Sequence, residues 1–401
     1  MNVFFLFLFL LIAVEGVSQK TVYKSRVGRQ ADSKIVVGAE RMDLYLFILK
    51  GKSIAIIANQ TSMVGDQHLV DTLLSRGITI KKVFSPEHGF RGSADAGEKV
   101  QNYKDKKTGL PIVSLYGKHH KPSSEDLEGI DIVIFDIQDV GVRFYTYIST
   151  MHYVMEACAE NEVKFLILDR PNPNGYYVAG PTMEEEYTSF VGLHPVPLVH
   201  GMTIAEYARM INGQGWLKNQ VKCDLIHILC EGYTHSSLYQ LPIKPSPNLP
   251  NMQSIYLYPS LGLFEGTFIS VGRGTDHPFQ ALGHPDMQNA KFKFKPKSTP
   301  GAKNPPYKGT VCYGHDLRNF SNMILKNYQG LYLYWLTGAY QDSPDKEKFF
   351  NNYFNSLAGN STLKQQIIDG LNEEDIAKSW EQDLLHYKRI RKGYLLYTDF
   401  E

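Results

Sequence analysis

Apolar runs in the first half of the chain are followed at once by residues that move protons or grip anions. Ser53 to Ala58 leads into Asn59-Gln60-Thr61-Ser62. Ile78 to Phe84 leads into Ser85-Pro86-Glu87-His88-Gly89-Phe90-Arg91-Gly92. Asp131 to Ile137, with Asp136 inside its end, leads into Gln138-Asp139-Val140-Gly141-Val142-Arg143. Val163 to Leu168 leads into Asp169-Arg170-Pro171-Asn172-Pro173-Asn174-Gly175. Carboxylates exchange protons, and guanidinium groups pair bidentately with carboxylates. Loops are polar in any protein, but this concentration of Glu, Asp, Arg and Asn behind successive apolar runs is unusual.

The runs themselves read as strands. They are short and Ile-rich, and a further one spans Pro111 to Leu115. Between them lie helical patterns: Leu69, Val70, Leu73 and Leu74 before Gly77, then Tyr147 to Glu160. Thr203 with Glu206 forms a capping box that opens another helix. Continuous apolar strands alternating with helices predict an α/β fold with a parallel sheet covered on both faces. Such sheets bind ligands outside the carboxyl ends of their strands, which is the rim just described. Pro242 to Pro250 holds four prolines in nine residues and excludes helix and central strand there. The domain boundary is therefore set near Asn251, dividing residues 34–251 from 252–401. In the second part Ser254 to Tyr258 and Leu331 to Trp335 read as strands. Glu374 to Lys392 reads as one helix, with Ile376, Trp380, Leu384, Tyr387 and Ile390 on one face.

Composition narrows the function. Lys+Arg is 42 and Asp+Glu is 41, so the net charge of +1 gives no footprint for nucleic acid or an anionic membrane. GxGxxG, GxxxxGK[ST], HExxH and GxSxG are all missing, which disfavours a dinucleotide site, a P-loop and several hydrolase classes. His119, His120, His194, His200, His277 and His284 fit no standard metal spacing, so neither metal nor cofactor is expected. The four cysteines show no CxxC and read as buried free thiols. Phe4 to Val14 is an apolar run too short to span a bilayer, followed by small residues to Ser18. It reads as a signal peptide over residues 1–18, implying a secreted, periplasmic protein without a membrane span once it is removed. Oligomeric state is left open.

ANQTS (58–62), SPEHGFRG (85–92), FDIQDVGVRFYTYISTM (135–151), LDRPNPNG (168–175), PLVHGMT (197–203), PSPNLP (245–250), YPSLGLFEGT (258–267) and SVGRGTDHPF (270–279) resemble, in order, the exo-β-N-acetylmuramidase (NamZ) family of peptidoglycan glycosidases. The resemblance runs through nearly the whole chain after the signal segment. It implies a Rossmann-like N-terminal domain, a smaller α/β C-terminal domain and a cleft between them. It also implies release of terminal β-1,4-linked N-acetylmuramic acid from peptidoglycan fragments in cell-wall turnover and recycling.

Glycoside hydrolysis needs a proton donor to the leaving oxygen and stabilisation of an oxocarbenium-like centre. Glu87 is the leading candidate for the acid, because Pro86, Gly89 and Phe90 would shield it and favour its protonated form. His88 is placed to orient it or to share in proton transfer. Asp136 and Glu265 are candidates for the second carboxylate, with Asp136 the weaker and Glu265 closing over the cleft from the C-terminal part. Arg91, Arg143 and Arg273 are candidates for the lactyl carboxylate of muramic acid. Asp139, Tyr145, Asn59 and Asn172 are candidates for sugar contacts, with Asp139 also weighed as a second carboxylate. Two other readings stand beside this one: a sugar-binding protein without catalysis, and a metal-dependent esterase or deacetylase.

Overall fold

Residues 53–58 (β1), 79–85 (β2), 111–114 (β3), 132–136 (β4), 164–168 (β5) and 225–228 (β8) form one parallel sheet in the order β8-β5-β4-β1-β2-β3. The structure is a computed structural model that describes residues 34–87, 89–91, 102–117, 119–320 and 322–401. The signal segment and His88 lie outside these residues. A two-residue strand, Tyr103–Lys104, adds antiparallel to β3 at the edge.

The sheet is apolar on both faces, which is why its strands read as unbroken apolar runs. Ile54, Ile56, Val83, Ile132, Ile134 and Leu166 face one way and pack against Leu69, Val70 and Leu73 of helix α1 (Leu69–Ser75). Ala55, Ile57, Phe84, Val133, Phe135 and Phe165 face the other way. They pack against α2 (Tyr147–Glu160) and α3 (Ile204–Gln214). That second core continues into Leu257, Leu261, Phe264, Phe349 and Phe354 of the C-terminal part, which is fastened to this face.

The order of strands decides where a ligand fits. The chain lays down β1, runs outward through β2 and β3, then returns to set β4 on the other side of β1. Connections leaving β1 and β4 diverge, and the gap opens at their carboxyl ends.

Two strands, β6 (Ala179–Thr182) and β7 (Pro197–Val199), form a small antiparallel pair. The C-terminal part carries its own antiparallel sheet, β9 (Ala281–His284), β10 (Phe292–Phe294) and β11 (Cys312–Asp316), in the order β9-β11-β10. The rest of it is mainly short helices.

Three local expectations change. Residues 254–258 are helical, inside α4 (Met252–Leu261), because Asn251 forms a capping box with Ser254. Residues 331–335 form no strand, since a helix starts at Tyr334. The last helix is two, Glu373–Lys378 and Glu381–Lys392, broken at Ser379 and Trp380. The four cysteines are buried and free. Among the described residues no helix is long and apolar enough to cross a membrane.

Candidate active site

A cavity of about 550 Å³ opens over the carboxyl rim of the sheet. Glu87 comes from the turn after β2, and Tyr116 and His120 from the segment after β3. Tyr145 and Thr146 come from the link between β4 and α2, and Tyr147 from the first turn of α2. The C-terminal part supplies Tyr258, Glu265, Arg273, Phe279 and Tyr353 from the other side.

Glu87 is half-buried. Thr146 Oγ1 donates to its Oε2 at 3.4 Å, and the Tyr116 phenol, pushed up by burial, feels its charge. Glu265 Oε1 accepts from Arg273 Nε at 2.8 Å and Nη2 at 2.7 Å. The guanidinium carbon of Arg273 stands 5.1 Å over the Phe279 ring, a cation–π contact that fixes its plane. The charges of both Glu265 and Glu87 act on Tyr353 and raise its phenol to about 12, after burial as the main cause. The two carboxylates therefore look onto the same space from opposite domains.

Tyrosines form one wall. Tyr145 makes edge-to-face contacts with Tyr147 at 4.8 Å and Tyr258 at 5.9 Å, and its hydroxyl donates to Pro245 O at 2.9 Å. The proline-rich loop is thus part of the cavity, which Ser246, Asn248 and Leu249 also line. His120 stacks on Phe190 at 4.0 Å along another stretch of wall. Half-buried acid, ion-paired cation and aromatic walls suit a polar ring-shaped ligand that carries a negative charge.

Residues 54–253 match the family described as Exo-beta-N-acetylmuramidase NamZ, N-terminal, and residues 256–397 match its C-terminal counterpart. The peptidoglycan beta-N-acetylmuramidase NamZ of Bacillus subtilis (strain 168) is 40% identical over 377 residues, 87% of this chain and 88% of that protein. The chain belongs to the exo-β-N-acetylmuramidase NamZ family. Two crystal structures of DUF1343 family proteins from Bacteroides fragilis share the fold. One is 48% identical with a TM-score of 0.86, covering 92% of this chain and 100% of its own. The other is 30% identical with a TM-score of 0.74, covering 91% and 99%.

In this NamZ-family chain the cavity gathers Glu87, Glu265, Tyr145 and Arg273 from the residues singled out in the sequence. The other described candidates hold the scaffold. Asp136 is fully buried and takes Arg170 bidentately at 2.6 and 3.0 Å, so its carboxylate is neutralised away from the cavity. Arg91 is engaged by Asp105 at 3.0 and 2.8 Å and by Asp71 at 3.5 Å. Arg143 is wholly buried and donates to Pro181 O, Val196 O, Leu357 O and Ala358 O, so it grips backbone and not a ligand carboxylate. Asn59 binds Thr61 through its oxygen and donates to the Tyr147 hydroxyl at 3.0 Å, acting on the cavity wall from behind. Asn172 donates to Met202 O and accepts from Asn174 N, packed so tightly that a Cβ at Gly141 would lie 2.3 Å from its amide oxygen.

Tyr116, Thr146, Tyr258 and Tyr353 were not singled out. Tyr116 carried a signal, because it follows an apolar run like the others. Tyr258 opens the quoted motif YPSLGLFEGT, but Tyr353 carried no signal, since only the packing of the C-terminal part brings it to the rim.

Asp139 is buried, accepts from Gly141 N at 2.6 Å and sits 3.8 Å from His200 Nε2. Burial pushes the Asp139 carboxyl up to about 7. Burial, helped by Arg391, Arg143 and His235, pushes His200 down to about 3. Below pH 6.5 the unfolded chain protonates His200 and the folded chain does not, so stability falls on acidification towards pH 3. Below pH 7 the folded chain protonates Asp139 and the unfolded chain does not, so stability rises on acidification towards pH 3.8. The two effects oppose each other. Asp139→Asn is expected to steepen the acid loss of stability, and His200→Gln to flatten or reverse it, by about 1 kcal/mol per pH unit. Urea unfolding at several pH values checks this; equal slopes in both variants would refute it.

Proposed function

We infer that this chain is an exo-acting glycoside hydrolase that releases terminal β-1,4-linked N-acetylmuramic acid from peptidoglycan fragments, in cell-wall turnover and recycling. The observation that carries the reading is Glu87 facing the Glu265–Arg273 pair across one cavity, in a chain of the NamZ family. Glu87 supplies the proton to the leaving glycosidic oxygen, so that the C–O bond breaks without expelling an alkoxide. Arg273, held flat by Glu265 and Phe279, receives the lactyl carboxylate that distinguishes muramic acid from glucosamine. Tyr145, Tyr147 and Tyr258 bound the sugar ring.

The test is hydrolysis of a chromogenic β-N-acetylmuramide beside the matching β-N-acetylglucosaminide. Release from the muramide alone is expected, and equal release from both would refute the assignment. Arg273→Gln is expected to raise KM for the muramide about 10- to 100-fold, the loss of one charge-assisted contact. An unchanged KM would remove Arg273 from the carboxylate site.

The apolar run Phe4 to Val14 supports export, with the periplasm as destination. Cell fractionation and the N-terminal sequence of the mature protein test that separately.

A further inference from the structure

Strand register sets a second side chain beside Glu87. Within the sheet Ser85 of β2 lies opposite Ser114 of β3. Glu87 and Tyr116, each two residues further on, therefore leave the rim side by side. Both line the cavity, close enough that the Glu87 carboxylate acts on the Tyr116 phenol.

A third element reaches the same group. Thr146 immediately precedes α2, a position where threonine usually accepts from the helix's own free N–H groups. Here its side chain makes no such cap. Its hydroxyl is aimed instead at Glu87 Oε2, 3.4 Å away. The start of the 14-residue helix α2 also turns its positive dipole end towards the same place.

We propose that Tyr116 and Thr146 are positioning residues for Glu87. They hold its carboxyl group towards the cavity and stabilise the negative charge that grows on it as its proton passes to the leaving oxygen. This rests on Glu87 being the acid. The chemistry is that of fixed donors aimed at developing charge, which act on the transition state more than on the bound substrate. Tyr116 is suited to the task because burial, reinforced by the Glu87 charge, keeps its phenol protonated and hence a donor. Thr146 has no charge to lose at any pH.

Steady-state kinetics on the N-acetylmuramic acid–N-acetylglucosamine disaccharide, from pH 5 to 9, test the proposal with Tyr116→Phe, Thr146→Val, Thr146→Ser and Glu87→Gln. Tyr116→Phe is expected to lower kcat about 10- to 100-fold while KM changes by less than about threefold. The alkaline limb of its kcat profile should move to higher pH, because a donor that favours the carboxylate has been removed. Thr146→Val should shift the profile the same way by less, and Thr146→Ser should restore it. Thr146→Val changes only a hydroxyl for a methyl, so it remains informative if Tyr116→Phe folds poorly. An unmoved pH profile in both variants, or a loss confined to KM, would overturn the proposal while leaving Glu87 as the acid. Full activity in Glu87→Gln would overturn the reading beneath it as well.

Discussion

Glu87→Gln should lower kcat on the natural disaccharide by about 10³-fold while leaving muramic acid binding intact, since a positioned general acid contributes about 10² to 10⁴. The amide keeps the size of the carboxyl group and its place in the cavity but has no proton of the right acidity to give. The loss should depend on the leaving group. A nitrophenolate departs without protonation, so the variant should retain much more activity on a nitrophenyl muramide than on the disaccharide. Equal losses on both substrates would mean that Glu87 acts in some other way. An active variant on the disaccharide would mean that the acid is elsewhere. Isothermal titration with free N-acetylmuramic acid separates lost chemistry from lost binding.

Arg143→Met should destabilise the fold by about 3–5 kcal/mol, the usual cost of breaking a buried charged network. Arg143 is a fully buried cation whose guanidinium donates to main-chain carbonyls: Pro181 O on β6, Val196 O just before β7, and Leu357 O and Ala358 O in the C-terminal part. Burial pushes its guanidinium down to about 10, yet it stays charged at neutral pH. Gly359, with φ near 83°, is pressed so close that a Cβ there would sit 2.5 Å from Arg143 Nη2. Removing the side chain takes a charged donor from four buried carbonyls, of which Val196 O keeps the Met183 N–H, and each lost bond costs free energy in a dry interior. Urea unfolding measures the loss, and a change below about 1 kcal/mol would show that water or backbone movement replaces the guanidinium. Arg143→Lys should recover only part, because an ammonium cannot fork across two pairs of acceptors.

The N-terminal sheet was legible because a strand buried on both faces must be apolar along its middle, and β1, β4 and β5 are, with polar residues only at their ends. The rim followed from it, since polar residues at strand ends are where a parallel sheet offers room. What was not legible was the use of each polar residue. Arg143 and Arg273 look alike in sequence, each within two residues of a glycine. One is swallowed by a contact with residues more than two hundred positions away, and the other is turned outwards by Glu265 eight positions earlier. Asp136 and Glu87 both end apolar runs. Arg170 pairs with the first, while the second faces the cavity with Thr146 against it.

The sequence by itself determined the parallel sheet, its chemical rim and the family to which the chain belongs, because these depend on local apolar periodicity and on motifs contiguous along the chain. Only the tertiary structure decided which carboxylate faces the cavity, which arginine is a staple, and that Tyr258 and Tyr353 complete the wall. Those outcomes depend on pairings between residues distant in sequence, and the energy of a buried charge is set by whichever partner the fold brings to it.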